Sequence, residues 1–115
     1  MNRLVLSASL LERSAVRYTP AGLPAIDCRL AHASTVTEDG QPRQVSLEIR
    51  ALAIGAMSRP LGSLALGATA LFAGFLASTR NGRGLLFHIT ELSADAESAP
   101  SSPDSPPAAP LPAPI

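Results

Sequence analysis

The sequence predicts an all-β body, and three observations carry that prediction. Apolar and polar residues alternate with a period of two along most of residues 1–95, the spacing at which one face of a strand is buried. Glycines and prolines that favour turns separate the alternating runs. One stretch, 55–66, lacks the period and divides the runs into three before it and two after it.

The first strand spans Asn2 to Glu12, with Leu4, Leu6, Ala8 and Leu10 on one face and Val5, Ser7, Ser9 and Leu11 on the other. "ERSAVRYTPAGLPA" follows as a turn-rich link with Pro20, Gly22 and Pro24, leaving room for a short strand at Ala15 to Tyr18. The second strand runs from Ala25 to about Ser34, where Ile26, Cys28 and Leu30 oppose Asp27 and Arg29. "TVTEDGQPR" reads as a charged loop centred on Asp39-Gly40. The third strand lies in "QVSLEIRALAI", where Val45, Leu47, Ile49 and Ala51 alternate with Ser46, Glu48 and Arg50, as in a half-buried antiparallel strand. "GAMSRPLGSLAL" has room for a turn or two of helix at most. Strands four and five, about Ala68 to Ala77 and Leu85 to Leu92, flank a hairpin at Asn81-Gly82, residue types that tolerate positive φ. Residues 96–115 hold seven of the eleven prolines and four serines. That composition buries too little apolar surface to offset ordering, so the expectation is a disordered, partly polyproline II tail.

The chain thus divides into a body, 1–95, and a tail, 96–115. A short sheet has vulnerable edges unless it closes on itself or pairs with a partner. Five strands with a helical or irregular plug between the third and fourth is the OB-fold barrel, whereas a β-sandwich needs about seven strands.

Charge and cysteine content exclude several function classes. Net charge is zero, but all nine basic residues lie between Arg3 and Arg83, against seven acids in the body, a net of +2. That bias is weak for a nucleic-acid binder. Every base is an arginine, which suits phosphate forks and stacking on bases, although a GC-rich genome also yields a chain rich in arginine, alanine and proline. A lone Cys28 forms no internal disulfide, and with only His32 and His88 no metal constellation is available. A reducing cytoplasm is the expected compartment. No cofactor is expected, and no serine, histidine and aspartate grouping suggests catalysis. "MNRLVLSASLL" is too interrupted for a signal peptide. The apolar run 61–78 contains three glycines with serine and threonine, and its apolar part is shorter than the roughly 20 residues a spanning helix needs.

The chemistry-bearing candidates are arginines at strand ends. Arg80 and Arg83 flank the Asn-Gly tip, Arg17 lies near the first connection, and Arg43 opens the third strand. OB-fold binders use these loops and strands two and three to hold phosphates. Phe72, Phe75 and Phe87 read as core, leaving Tyr18 to stack on a base. The competing reading is that these arginines only solvate a small β-protein.

"NRLVLSASLLERSAVRYTPAGLPAIDCRLAH", "RQVSLEIRALAIG" and "LGATALFAGFLAS…NGRGLLFHITEL" together resemble primosomal replication protein N, the PriB family, a relative of bacterial single-stranded-DNA-binding proteins. The resemblance covers about residues 2–95. It implies an OB-fold homodimer without catalysis, whose partners are single-stranded DNA, the replication-restart helicase and other primosome proteins, and no membrane. Tight binders in that family carry an aromatic on strand three where this chain has Ser46, and their hairpin is rich in lysine. The resemblance therefore implies weak DNA binding, or an adaptor that works by protein contacts with little DNA binding of its own.

Overall fold

The computed structural model describes residues 1–94; the tail expected at 96–115 lies outside the described residues. The strands are β1 (Leu4–Arg13), β2 (Arg17–Tyr18), β3 (Pro24–Glu38), β4 (Gln41–Ile54), β5 (Thr69–Ser78) and β6 (Leu85–Ala94). A 3₁₀ turn (Gly55–Met57) leads into one short helix, α1 (Ser58–Ser63), between β4 and β5. The sheet runs β1-β5-β6-β4-β3, and β1 pairs with β3 to close a five-stranded barrel; the two-residue β2 only borders the start of β3. The expected OB-fold arrangement is present.

Alternation sets the core. Ala8, Leu10, Ile26, Cys28, Leu30, Ala51, Phe72, Phe87 and Ile89 face inward and are buried. Leu61 of α1, fully buried, plugs the end of the barrel where β1 and β4 finish and β3 and β5 begin. Gly55, at φ +73°, lets the chain swing from β4 into the 3₁₀ turn. The Arg13 guanidinium donates to the carbonyls of Leu61, at 3.4 Å, and Leu64. It thereby joins the Leu64 N–H on the Leu61 carbonyl and takes up the carbonyl of Leu64, the residue that caps α1.

Three expectations are corrected. The charged loop at 35–43 is a continuation of β3 and β4. Pairs Thr35↔Gln44 through Glu38↔Gln41 extend the ladder to a two-residue turn at Asp39-Gly40, with φ of 52° and 74°. This is the geometry in which Asp-Gly turns match strand twist. Because the ribbon runs beyond the barrel, Leu47 is 39 % exposed despite its core-type phase. At the β5–β6 tip, where residues 79–84 connect the strands, only Gly82 of the Asn81-Gly82 pair has positive φ. Asn81 Oδ1 accepts from the Thr79 hydroxyl and the Arg83 N–H, and Thr79 Oγ accepts from the Gly84 N–H. Finally, Phe75 is not core. It lies three residues from inward-facing Phe72, hence on the opposite face, 38 % exposed and stacked on His88 at 4.7 Å.

No described helix is long and apolar enough to cross a membrane. Residues 61–78 divide between the end of α1, a loop and β5.

Candidate nucleic-acid interface

The two-residue turn dictates what faces outward on the ribbon. In the β3–β4 register, Arg29 lies directly opposite Arg50, and Ala31 opposite Glu48. Arg29 and Arg50 share the outer face, since Cys28, Leu30 and Ala51 point inward. Like charges directly opposed across an antiparallel pair are unfavourable, so the pair needs carboxylates or a bound anion beside it. Arg29 is partly offset by Glu12 at 3.8 Å and Glu48 at 4.0 Å. Arg50 makes no ion pair among the described residues.

Arg50 lies between two depressions. A groove of about 580 Å³ runs from Leu47, Glu48 and Ile49 of β4 to Thr79, Asn81, Arg83 and Leu85 at the hairpin. A second, about 360 Å³, extends past Arg29 to Glu12, Arg13 and Asp27. Leu47 and Glu48 also border a third, of about 340 Å³, that contains Ser46, Ser7 and His32. His32 Nδ1 donates to the Ser7 carbonyl at 2.6 Å while Nε2 accepts from the Ser34 hydroxyl, which closes this wedge where β1 and β3 part. The three depressions form one band across the outer face of β4, and it carries cations and acids over a floor of mixed apolar and polar residues, with no phenylalanine, tyrosine or tryptophan side chain among the described residues.

Of the residues singled out in the sequence, Ser46 and Arg83 fall on this band. Arg80 stands exposed at the adjoining tip, without an ion pair among the described residues. Arg17 and Arg43 are held in ion pairs, the first at the edge of the band and the second beyond it. Arg17 makes two bonds to the Asp27 carboxylate, at 2.8 and 3.3 Å, and the hydrogen bond and charge of Asp27 push its pKa up. Arg43 pairs with Glu38 at the ribbon tip. Tyr18, 70 % exposed, borders a separate groove beside α1. Arg29 and Arg50 escaped the sequence reading, although their signal was present. A two-residue turn at 39–40 pairs residues whose numbers sum to 79, and 29 with 50 is such a pair.

Cys28 adds no chemistry. Burial first, and Asp27 second, push its thiol up to about 12, against a smaller opposing pull from Arg13. Among the described residues no histidine, cysteine or carboxylate cluster could hold a metal.

A family model described as another single-strand binding protein family matches residues 2–91. The replication restart protein PriB of Bordetella pertussis is 49 % identical over 80 residues, 70 % of this chain and 75 % of the relative. The chain belongs to the PriB family. The structure of PriB from Ralstonia solanacearum superposes with a TM-score of 0.77 at 41 % identity, covering 84 % of this chain and 99 % of that one. The single-stranded-DNA-binding protein of Thermus aquaticus shares the fold, with a TM-score of 0.66 at 25 % identity over 84 % of this chain and 51 % of that one. PriB membership accounts for the closed barrel and for α1 between β4 and β5. The Arg29–Arg50 pair and the acids around it are features read from this chain's own structure.

Proposed function

We propose that this chain is an accessory protein of the replication-restart primosome that binds single-stranded DNA weakly along the outer face of β4 and stabilises the restart helicase on forked DNA. The observation that carries the reading is the Arg29–Arg50 pair, with Arg50 and Arg83 lining one groove beside Glu48. Phosphates passing this face would relieve the repulsion between the two guanidinium groups, and the planar, rigid arginine fork suits phosphate. Kinship with PriB and single-strand-binding proteins supports both the ligand and the setting. The chain acts by binding, without catalysis and without a cofactor.

Weak binding follows from what the band lacks. Base stacking contributes about 1–3 kcal/mol per base, and among the described residues the band has no phenylalanine, tyrosine or tryptophan, while the ring nitrogens of its His32 are both engaged. Arg17 and Arg43 are neutralised, and Glu48 lies among the remaining cations. Three phosphate contacts give a log–log salt slope of only about −2. Anisotropy titration of labelled oligo-dT at low and moderate salt checks this. Arg50→Ala and the double variant Arg80→Ala/Arg83→Ala should each weaken binding and flatten the slope. Tight binding that persists at moderate salt, or no response to these substitutions, would refute the groove.

The acids within the band also favour a second reading, an adaptor that contacts the helicase with little DNA binding of its own. Unwinding of forked DNA by the helicase separates the two. An adaptor stimulates it equally with and without Arg50, Arg80 and Arg83, whereas a DNA-gripping accessory loses stimulation in step with DNA affinity.

A homodimer is part of the proposal. On the edge of β1 away from β5, only residues from Ser9 onward pair with β3, so Leu4 to Ala8 offer an open backbone edge among the described residues. A second β1 laid antiparallel would satisfy it.

A further inference from the structure

We propose that the groove beside α1 is the docking site of the chain's own proline-rich segment, residues 96–115, held in cis. The groove, about 660 Å³, has Val16, Tyr18, Leu23 and Pro24 on one wall and Ala56 and Arg59 on the other. Val16, Tyr18 and Leu23 are all large, apolar and exposed, a concentration that marks a binding surface rather than scattered surface hydrophobes. Arg59 makes no ion pair among the described residues, so the groove combines an aromatic face with one free cation.

Three observations select the occupant. The first is topological. Ala94, the last residue of β6, pairs with Ala70 near the start of β5, at the end of the barrel that α1 plugs. Residues beyond it therefore depart from the end at which the groove opens. The second is charge. Residues 1–94 carry nine arginines and six acids, a net of +3, whereas 95–115 carry Asp95, Glu97 and Asp104 and no base, a net of −3. The third is the match of surfaces. Extended proline-rich strings lose little entropy on docking and bind shallow aromatic grooves. The run Pro106-Pro107-Ala108-Ala109-Pro110 follows Asp104 by two residues, so Asp104 can meet Arg59 while the prolines lie on Tyr18. Length is no obstacle, since 20 residues at about 3.1 Å each reach about 60 Å, beyond the molecule's longest dimension of 46 Å. Tethering supplies an effective concentration in the millimolar range, so even weak contacts close the groove.

Tyr18 is the chain's one tyrosine and there is no tryptophan, so tyrosine emission reports this groove alone. Acrylamide quenching of the full chain, without DNA, is the test. Replacing Pro106, Pro107 and Pro110 together by serine should raise the quenching constant about twofold, as expected when a mostly occupied tethered site is emptied. Arg59→Glu and Asp104→Arg should each raise it, and the two together should restore the wild-type value. These outcomes should hold unchanged across a wide range of protein concentration. Quenching that ignores the proline and charge substitutions overturns the proposal, and quenching that falls as concentration rises overturns it in favour of a second copy. Because no nucleic acid is present, the result is independent of whether the β4 face binds DNA.

Discussion

Gly74 shows how a single missing side chain holds the barrel together. The β5–β6 ladder passes from Ala73↔Glu91 to Gly74↔Ile89, so Thr90 is the extra residue of a bulge, with its hydroxyl near the Ala73 carbonyl at 3.4 Å. The bulge switches the inward phase of β6 from Phe87 and Ile89 to Leu92 and bends the strand. It also drives the His88 carbonyl to within 1.8 Å of where a Gly74 Cβ would be. Gly74→Ala should therefore destabilise the fold by about 3 kcal/mol, measured by urea denaturation; a loss under about 1 kcal/mol would mean that the backbone yields freely there. Cys28 makes a second prediction at this scale. With its thiol pushed up to about 12 from the ordinary 9.0, it carries about a thousandth of the usual thiolate. Ellman's reagent at pH 8 should react slowly with the native chain and rapidly in urea. The unfolded state loses this proton first, so the Cys28 contribution to stability is intact below about pH 9 and is lost as the pH rises towards about 12. Neither effect was legible in the sequence, since each depends on what another strand places against the residue.

At the scale of elements, the β3–β4 ribbon carries the main lesson. Local alternation located both strands but stopped them short, because Pro42 and the acids of "TEDGQPR" resemble loop chemistry. Pro42 is accommodated beside the turn, opposite Thr37, where the ribbon stands clear of the barrel and a missing donor costs little. Once the turn is taken as two residues, the register follows, and with it the outward Arg29–Arg50 pair. The short helix depends on a different device. α1 has no acid in its first turn, no base in its last and no side-chain N-cap, so little intrinsic to it favours helix. Leu61 in the core and Arg13 on its final carbonyls hold it. Arg13→Ala should lower stability by about 1–3 kcal/mol and speed amide exchange selectively over residues 58–64. Uniform exchange across the barrel would show instead that Arg13 supports β1 alone.

At the scale of the whole molecule, the edge of β1 determines how two copies can pair. Hydrogen bonds to β5 use one side of Leu4 to Ser9, and β3 covers the other side only from Ser9 onward. The His32 side chain already takes up the Ser7 carbonyl, so a twin strand would have to pair chiefly around Val5. Val5→Pro removes a backbone donor from this edge without disturbing the core, as Val5 is half exposed. Sedimentation should show the parent chain as a dimer and the variant shifted to monomer with an unchanged far-UV spectrum. A parent chain that is monomeric at high concentration would overturn the dimer.

What the sequence determined by itself is the part of the fold that depends on neighbours along the chain. Period-two alternation located all five barrel strands, the aperiodic stretch placed α1, and the quoted segments pointed to the family before any coordinate. Tertiary structure decided everything that depends on which strand lies beside which. It placed Arg29 against Arg50, tied Arg17 and Arg43 to carboxylates, turned Phe75 outward onto His88, and moved Tyr18 to a groove apart from Arg50 and Arg83. The physical reason is range. Side-chain phase repeats every two residues and is set locally, whereas charge pairing and groove shape arise across strands whose register is established only when turns and bulges close the barrel.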